Sequence, residues 1–142
     1  MHGSKRNDLQ ALEARQQATF FGELVTGIFA SRDPVWPMFY ALVDRASAGS
    51  LRTLCLPGRR GTRYGFSTQG DPALSEGCVY VLPGEDFVQI PGTCEWVNTA
   101  RHAVQPLQRV SVQPNDFPFL SLTGRHDPSE SLLATWIRQR VK

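Results

Sequence analysis

The first apolar pattern along the chain is long and one-sided. Between Asp8 and Ala30, the residues Phe21, Leu24, Val25, Ile28 and Phe29 fall at i, i+3, i+4, i+7 and i+8, the stripe of an amphipathic helix, and Leu9 and Leu12 extend it backwards. Asn7 or Asp8 supplies a capping oxygen. Pro34 closes the stretch, because the residue before a proline is pushed out of the helical region. Gly22 and Gly27 would each cost such a helix about 1 kcal/mol relative to alanine, so packing has to hold it.

Met38 to Val43 is a continuous apolar run between Pro37 and Asp44 and predicts a central strand buried on both faces. Leu51 and Leu54 follow at helical spacing, predicting a short helix over residues 46–54. Thr62–Ser67 alternates as a short strand. Asp71 to Glu76 carries the cap, proline and acid of a single helical turn. Cys78–Leu82 predicts a second strong strand. Trp96, Val97, Ala100 and Val104 fit a helix that starts after Pro91–Gly92. Val110–Val112 and Phe119–Leu122 read as strands on either side of the turn-forming residues 113–116. Leu132, Leu133, Trp136 and Ile137 mark a final one-sided helix, with Arg138 and Arg140 near its C-terminal dipole. Interspersed helices and strands place the chain in the mixed α/β (α+β) class. The expected architecture is one domain, a central mixed sheet flanked by an N-terminal and a C-terminal amphipathic helix. Residues 1–37 form a helical leader and residues 38–142 the compact unit.

With 142 residues the chain has room for one domain with a real core, and not for two. Its 15 basic and 13 acidic residues leave a net charge of +2, too small to name a polyanion as partner. The longest apolar stretch, Val35–Val43, is about half of what spans a bilayer. Neither it nor the polar N-terminus resembles a membrane or export segment. Three cysteines at wide spacing, Cys55, Cys78 and Cys94, suit reduced thiols rather than a disulfide framework. Together these features imply a cytoplasmic protein.

Recognisable chemistry is sparse. Cys94 with His102 is the best offer of a nucleophile and base, for a small cysteine-dependent enzyme or toxin, but no local signature surrounds it. No paired ligands suit zinc, and no glycine-rich phosphate loop or nucleophile elbow occurs, so neither metal nor cofactor is expected. Glu85, Asp86 and Glu13 show no spacing that pairs two carboxylates. The run from Pro57 to Arg63 contains Arg59, Arg60 and Arg63, which gives a third reading, an arginine-loop binder of phosphate or nucleic acid, with Tyr64 and Phe66 for stacking. Against it stands a solvated turn. Asp44 ends the supposed central strand, where it either serves a site or caps the next helix.

Three stretches taken together resemble a family. Phe39-Tyr40-Ala41-Leu42-Val43-Asp44-Arg45-Ala46 is similar to the opening strand of the type VI secretion effector adaptors, bacterial chaperones that hand effectors to the secretion machinery. Gly77-Cys78-Val79-Tyr80-Val81-Leu82 lies where that family has its glycine-proline-tyrosine strand, and Arg125-His126-Asp127-Pro128 resembles the motif that opens its last helix. Arg45 departs from a small residue, Cys78 from a proline, and one aromatic before Asp127 is missing. The resemblance implies a non-catalytic adaptor that binds a secreted effector protein and helps load it onto the valine-glycine repeat (VgrG) spike protein, with no membrane and no nucleic acid involved. Tyr40, Asp44, Gly77, Arg125, Asp127 and Pro128 are carried over as fold-motif positions. Asp44, Arg59, Arg60, Arg63, Tyr80, Phe87 and Trp96 are the candidate partner contacts. An Arg125–Asp44 or Asp127 bridge would lock the last helix to the strand end. Neither the effector nor the oligomeric state can be read from these residues.

Overall fold

A computed structural model describes residues 1–71, 74–100 and 102–139. In chain order the elements are β1 (His2–Ser4), β2 (Arg15–Ala18), β3 (Leu24–Ala30), α1 (Val35–Leu42), α2 (Arg45–Ala48), β4 (Leu51–Leu56), β5 (Arg63–Thr68), β6 (Gly77–Val81), β7 (Val88–Gln89), β8 (Trp96–Asn98), β9 (Gln108–Val112), β10 (Gly124–Arg125) and α3 (Leu132–Gln139). The class is mixed α and β, as expected, with strand predominating.

The expected N-terminal helix is not formed: the chain opens with three strands. The β-branched residues Val25, Thr26 and Ile28 suit a pleated surface, and the two glycines weaken the helical alternative. Gly22, at φ +82°, closes the β2–β3 hairpin, where Thr19 N–H donates to Glu23 O at 2.8 Å and Gly22 N–H to Thr19 O at 2.9 Å. Two strands of the expected leader thus pair with later strands, β1 with β6 and β3 with β8, and its last residues, from Val35, open α1. The expected central strand is also corrected. Met38–Leu42 belongs to α1, which starts beside Pro34 with the Asp33 carboxylate accepting Val35 N–H at 3.0 Å. A short apolar run buried all round does not distinguish helix from strand. Here an early proline and the good helix formers Met38, Ala41 and Leu42 decide it.

Instead of one central sheet there are three small ones, ordered β1-β6-β9, β10-β5-β4 and β2-β3-β8-β7, antiparallel except for β10 beside β5. The helix expected over 46–54 shrinks to α2, and Leu51–Leu56 is a strand. Trp96–Asn98 is β8 rather than a helix, and Phe119–Leu122 contains a 3-10 turn rather than a strand. The strands expected near residues 62–67, 78–82 and 110–112 are present as β5, β6 and β9. Of the helical turn expected at 71–76, Pro72 and Ala73 lie outside the described residues, as does Arg140.

α1 covers the first sheet by backbone-to-backbone approach. A side chain at Gly77 would put its Cβ 2.5 Å from the Ala41 carbonyl carbon, and one at Gly3 would fall 2.7 Å from that of Pro37. Below α1, Phe39 meets Phe66 at 4.7 Å and Phe117 at 5.7 Å between ring centroids, the centre of the main core with Leu42, Val43, Val79 and Val112. A second cluster joins Leu12, Ile28, Cys78, Tyr80, Leu82 and Val104. At the other end, α3 is tied to the β4–β5 hairpin. Arg52 donates to Glu130 O at 2.6 Å and to Thr135 Oγ1, and buried His126 bridges Ser50 Oγ at 2.8 Å and Ser67 Oγ at 2.9 Å. α3 keeps Leu132, Leu133 and Ile137 exposed, so it does not flank a sheet with its apolar stripe. Among the described residues no helix is long and apolar enough to cross a membrane.

Candidate functional site

The expected contacts scatter. Asp44 caps α2, accepting Ala46 N–H at 3.0 Å, which is the capping role weighed for it. Arg125 pairs with exposed Asp71, and Asp127 accepts Ser129 N–H at 2.8 Å within its own loop. The bridge expected from Arg125 to Asp44 or Asp127 is therefore not made. Pro128 offers its carbonyl to Arg52 at 3.4 Å. Tyr80 is fully buried, its hydroxyl donating to Arg6 O at 2.8 Å and accepting Leu9 N–H at 3.2 Å. Phe87 is half-buried against the second cluster, and Trp96 is half-buried under the Arg32 guanidinium at 4.1 Å. Arg59, Arg60 and Arg63 are exposed on the β4–β5 hairpin.

Cys94 does not meet an imidazole. Its backbone N–H donates to Cys55 O at 3.1 Å, while His102 lies exposed. Burial pushes both thiols up, holding them protonated and weakly nucleophilic.

A different set of residues converges. His2 of β1, Phe29 and Ala30 of β3, Trp36 and Tyr40 of α1, and Glu95 just before β8 line one cavity of about 410 Å³. β1 reaches β3 because Ser31 N–H donates to Met1 O at 2.8 Å. α1 brings Tyr40 alongside because Gly3 lets it close on β1. The hairpin turn delivers Phe20 N–H, which donates to Glu95 Oε2 at 2.9 Å. A neighbouring groove shares His2, Gln17, Phe29, Tyr40 and Arg45 with this cavity and adds Arg15, so the two run together.

The electrostatics of the cavity are specific. Glu95 is only 6% exposed, and burial raises its pKa despite the Phe20 N–H that favours the charged form. His2 is lowered, first by burial, with the charge of the N-terminal ammonium and then those of Arg45 and Arg15 adding to it, so its imidazole is neutral near pH 7. Its Nδ1–H donates to Phe29 O at 2.7 Å, since a carbonyl can only accept. That leaves the Nε2 lone pair for a ligand. Burial raises Tyr40 as well. Its hydroxyl shares a hydrogen bond with Thr53 Oγ1 at 2.8 Å, its ring meets Trp36 edge-on at 5.8 Å, and the Arg45 guanidinium stacks 5.0 Å from its centroid.

Sequence reasoning tested the acids as neighbours in the chain and passed over Glu95, His2, Arg15 and Arg45. One signal was present: Glu95 is a lone acid in the apolar stretch Cys94–Val97, where a charge has a cost unless it has work to do. His2 gave none, because its partners come from distant segments. Among the described residues no group of three or more His, Cys, Asp or Glu side chains is placed to hold a metal ion. Comparison of the chain with protein-family models, with curated proteins and with solved structures finds no match.

Proposed function

We propose that the protein is an enzyme acting on a small ligand of the nucleotide class, a flat ring joined to an anionic arm, with Glu95 as its acid–base group. The observation that carries this is the convergence of His2, Tyr40 and Glu95 on one cavity that opens toward Arg45 and Arg15. Phe29, Trp36 and Tyr40 offer the apolar wall a planar ring requires. The neutral His2 Nε2 accepts a hydrogen bond from the ring or a sugar hydroxyl. The guanidiniums of Arg45 and Arg15, which line the groove shared with His2, suit a phosphate or carboxylate. Glu95, whose pKa burial raises above that of a solvated carboxylate, supplies the titratable carboxyl that acid–base chemistry requires. This differs from the non-catalytic reading of the sequence, since no spacing rule reports residues that meet only in the fold.

Calorimetric titration of the full chain with a nucleoside, its monophosphate and a dinucleotide tests the proposal. The phosphate-bearing ligands are expected to bind at least about tenfold more tightly than the nucleoside, the worth of one charge-assisted hydrogen bond, and Arg45→Ala to erase that margin. If none of the three binds, or if Arg45→Ala leaves the margin intact, the reading fails.

A second reading, the effector adaptor implied by the motif resemblance, is favoured by one observation: α3 turns Leu132, Leu133 and Ile137 outward, the kind of apolar face a protein partner covers. On that reading the chain co-purifies with a type VI effector and the valine-glycine repeat spike protein. Leu133→Glu combined with Ile137→Glu breaks the complex. Co-expression without co-purification eliminates it.

A further inference from the structure

We propose that the β4–β5 hairpin and the adjoining face of α3 form a docking surface for single-stranded nucleic acid, separate from the Glu95 cleft. From Leu51 to Thr68 the hairpin contains four arginines and no acidic residue. Arg52 is committed to the loop before α3. The other three, Arg59, Arg60 and Arg63, are exposed and belong to none of the ion pairs among the described residues, which use Arg6, Arg125 and Arg138 instead. The tip is a tight turn, closed by Gly61 N–H donating to Gly58 O at 3.1 Å with Gly61 at φ +115°, so Arg59 and Arg60 sit on a defined projection.

Strand alternation then places an aromatic ring on the face of the hairpin that Arg63 shares. Arg63 and Gly65 share the face of β5 opposite Tyr64. Across Gly65 lies the half-buried Trp136 of α3, so close that a Cβ at Gly65 would fall 2.5 Å from the indole. Guanidiniums next to a partly exposed indole are what a single strand needs, phosphate partners along the backbone and a face on which a base stacks. On the α3 side, Glu130 is neutralised by Arg138 at 2.9 Å and Asp127 accepts Ser129 N–H within its own loop. The net charge of +2 makes the attraction local to the hairpin rather than a property of the whole surface. An acidic peptide would use the arginines and leave the indole idle, which is why a nucleic acid is the occupant argued for.

Fluorescence anisotropy with labelled RNA and DNA single strands of about 20 nucleotides, titrated at salt concentrations from about 50 to 200 mM, tests this. Binding is expected to weaken with salt, with a log–log slope near 2, since three phosphate contacts contribute about 0.7 each on a single strand. Preference between the two strands identifies the natural source. Arg59→Ala, Arg60→Ala and Arg63→Ala combined are expected to cost at least about tenfold at the lowest salt and to flatten the slope. Trp136→Phe should keep most of the affinity that Trp136→Ala loses. Because Trp136→Ala also bears on the seating of α3, charge reversal at the tip, Arg59→Glu with Arg60→Glu, is the independent check, with circular dichroism unchanged and binding abolished. The proposal is overturned by absence of binding at the lowest salt, by salt-independent binding, by a triple variant that binds like wild type, or by polyglutamate competing as well as the oligonucleotide. None of these outcomes depends on Arg45 or Glu95, so the cleft reading stands or falls separately.

Discussion

Gly77→Ala is expected to lower the stability of the fold by about 3 kcal/mol, which for a chain of this length appears as a thermal midpoint roughly 10 °C below wild type. The added methyl has no flexible neighbour to push aside. Its Cβ would overlap the Ala41 carbonyl oxygen and lie 2.5 Å from the carbonyl carbon, and both belong to helical backbone. Relief requires α1 to lift from β6, which opens the main core at Phe39, Leu42 and Val79, all nearly or fully buried. Tyr40 moves with α1, so ligand binding in the cleft should weaken together with stability. Gly84→Ala is the control, since nothing lies within 4 Å of a Cβ there and a near-neutral change is expected. Equal midpoints for the two variants would mean that α1 does not pack on β6 in this way.

That close approach also marks the boundary of what the sequence made legible. Strands with β-branched or alternating side chains declare themselves locally, and β5, β6 and β9 were readable to within a residue or two. The stretch 21–29 was misread because Phe21, Leu24, Val25, Ile28 and Phe29 satisfy a helical period by coincidence. Phe21 and Leu24 are in fact exposed, at 63% and 69%, while Ile28 is buried against a partner far along the chain. Periodicity reports which residues share a face only after the period is known, and here hairpin pairing overrode it. α1 was misread for the opposite reason: a run buried on every side has no period to read. The cleft lay still further out of reach. His2 and Glu95 line one cavity only because β1 inserts beside β6, β3 pairs with β8 and a glycine admits α1. The arginines at the hairpin tip needed only local information and were named from the sequence, although β4 beside them was read as part of a helix. What the fold adds is Trp136, supplied across Gly65 by the last helix.

Glu95→Gln is expected to move stability and activity in opposite directions. Turnover of any ligand processed in the cleft should fall by at least about a hundredfold, the usual worth of a positioned acid or base. At neutral pH, however, the variant should melt above wild type. Burial penalises the charged carboxylate and raises its folded-state pKa, while in the unfolded chain the group titrates near its ordinary value of about 4.3. Between those two values the folded protein binds more protons than the unfolded one. The stability contributed by the neutral carboxyl is therefore fully present below the unfolded value and is lost as pH rises through the folded one. Glutamine has no charge to lose, and its side-chain oxygen still accepts Phe20 N–H, so the hairpin contact survives. The advantage of the variant should accordingly be largest near pH 7 and shrink toward pH 4 in a series of thermal melts. Such a cost to the fold is what the proposed acid–base role of Glu95 predicts. A variant that melts below wild type at pH 7 would show that the ionised carboxylate is held by favourable contacts, and Glu95 would then be a structural residue rather than the centre of the site.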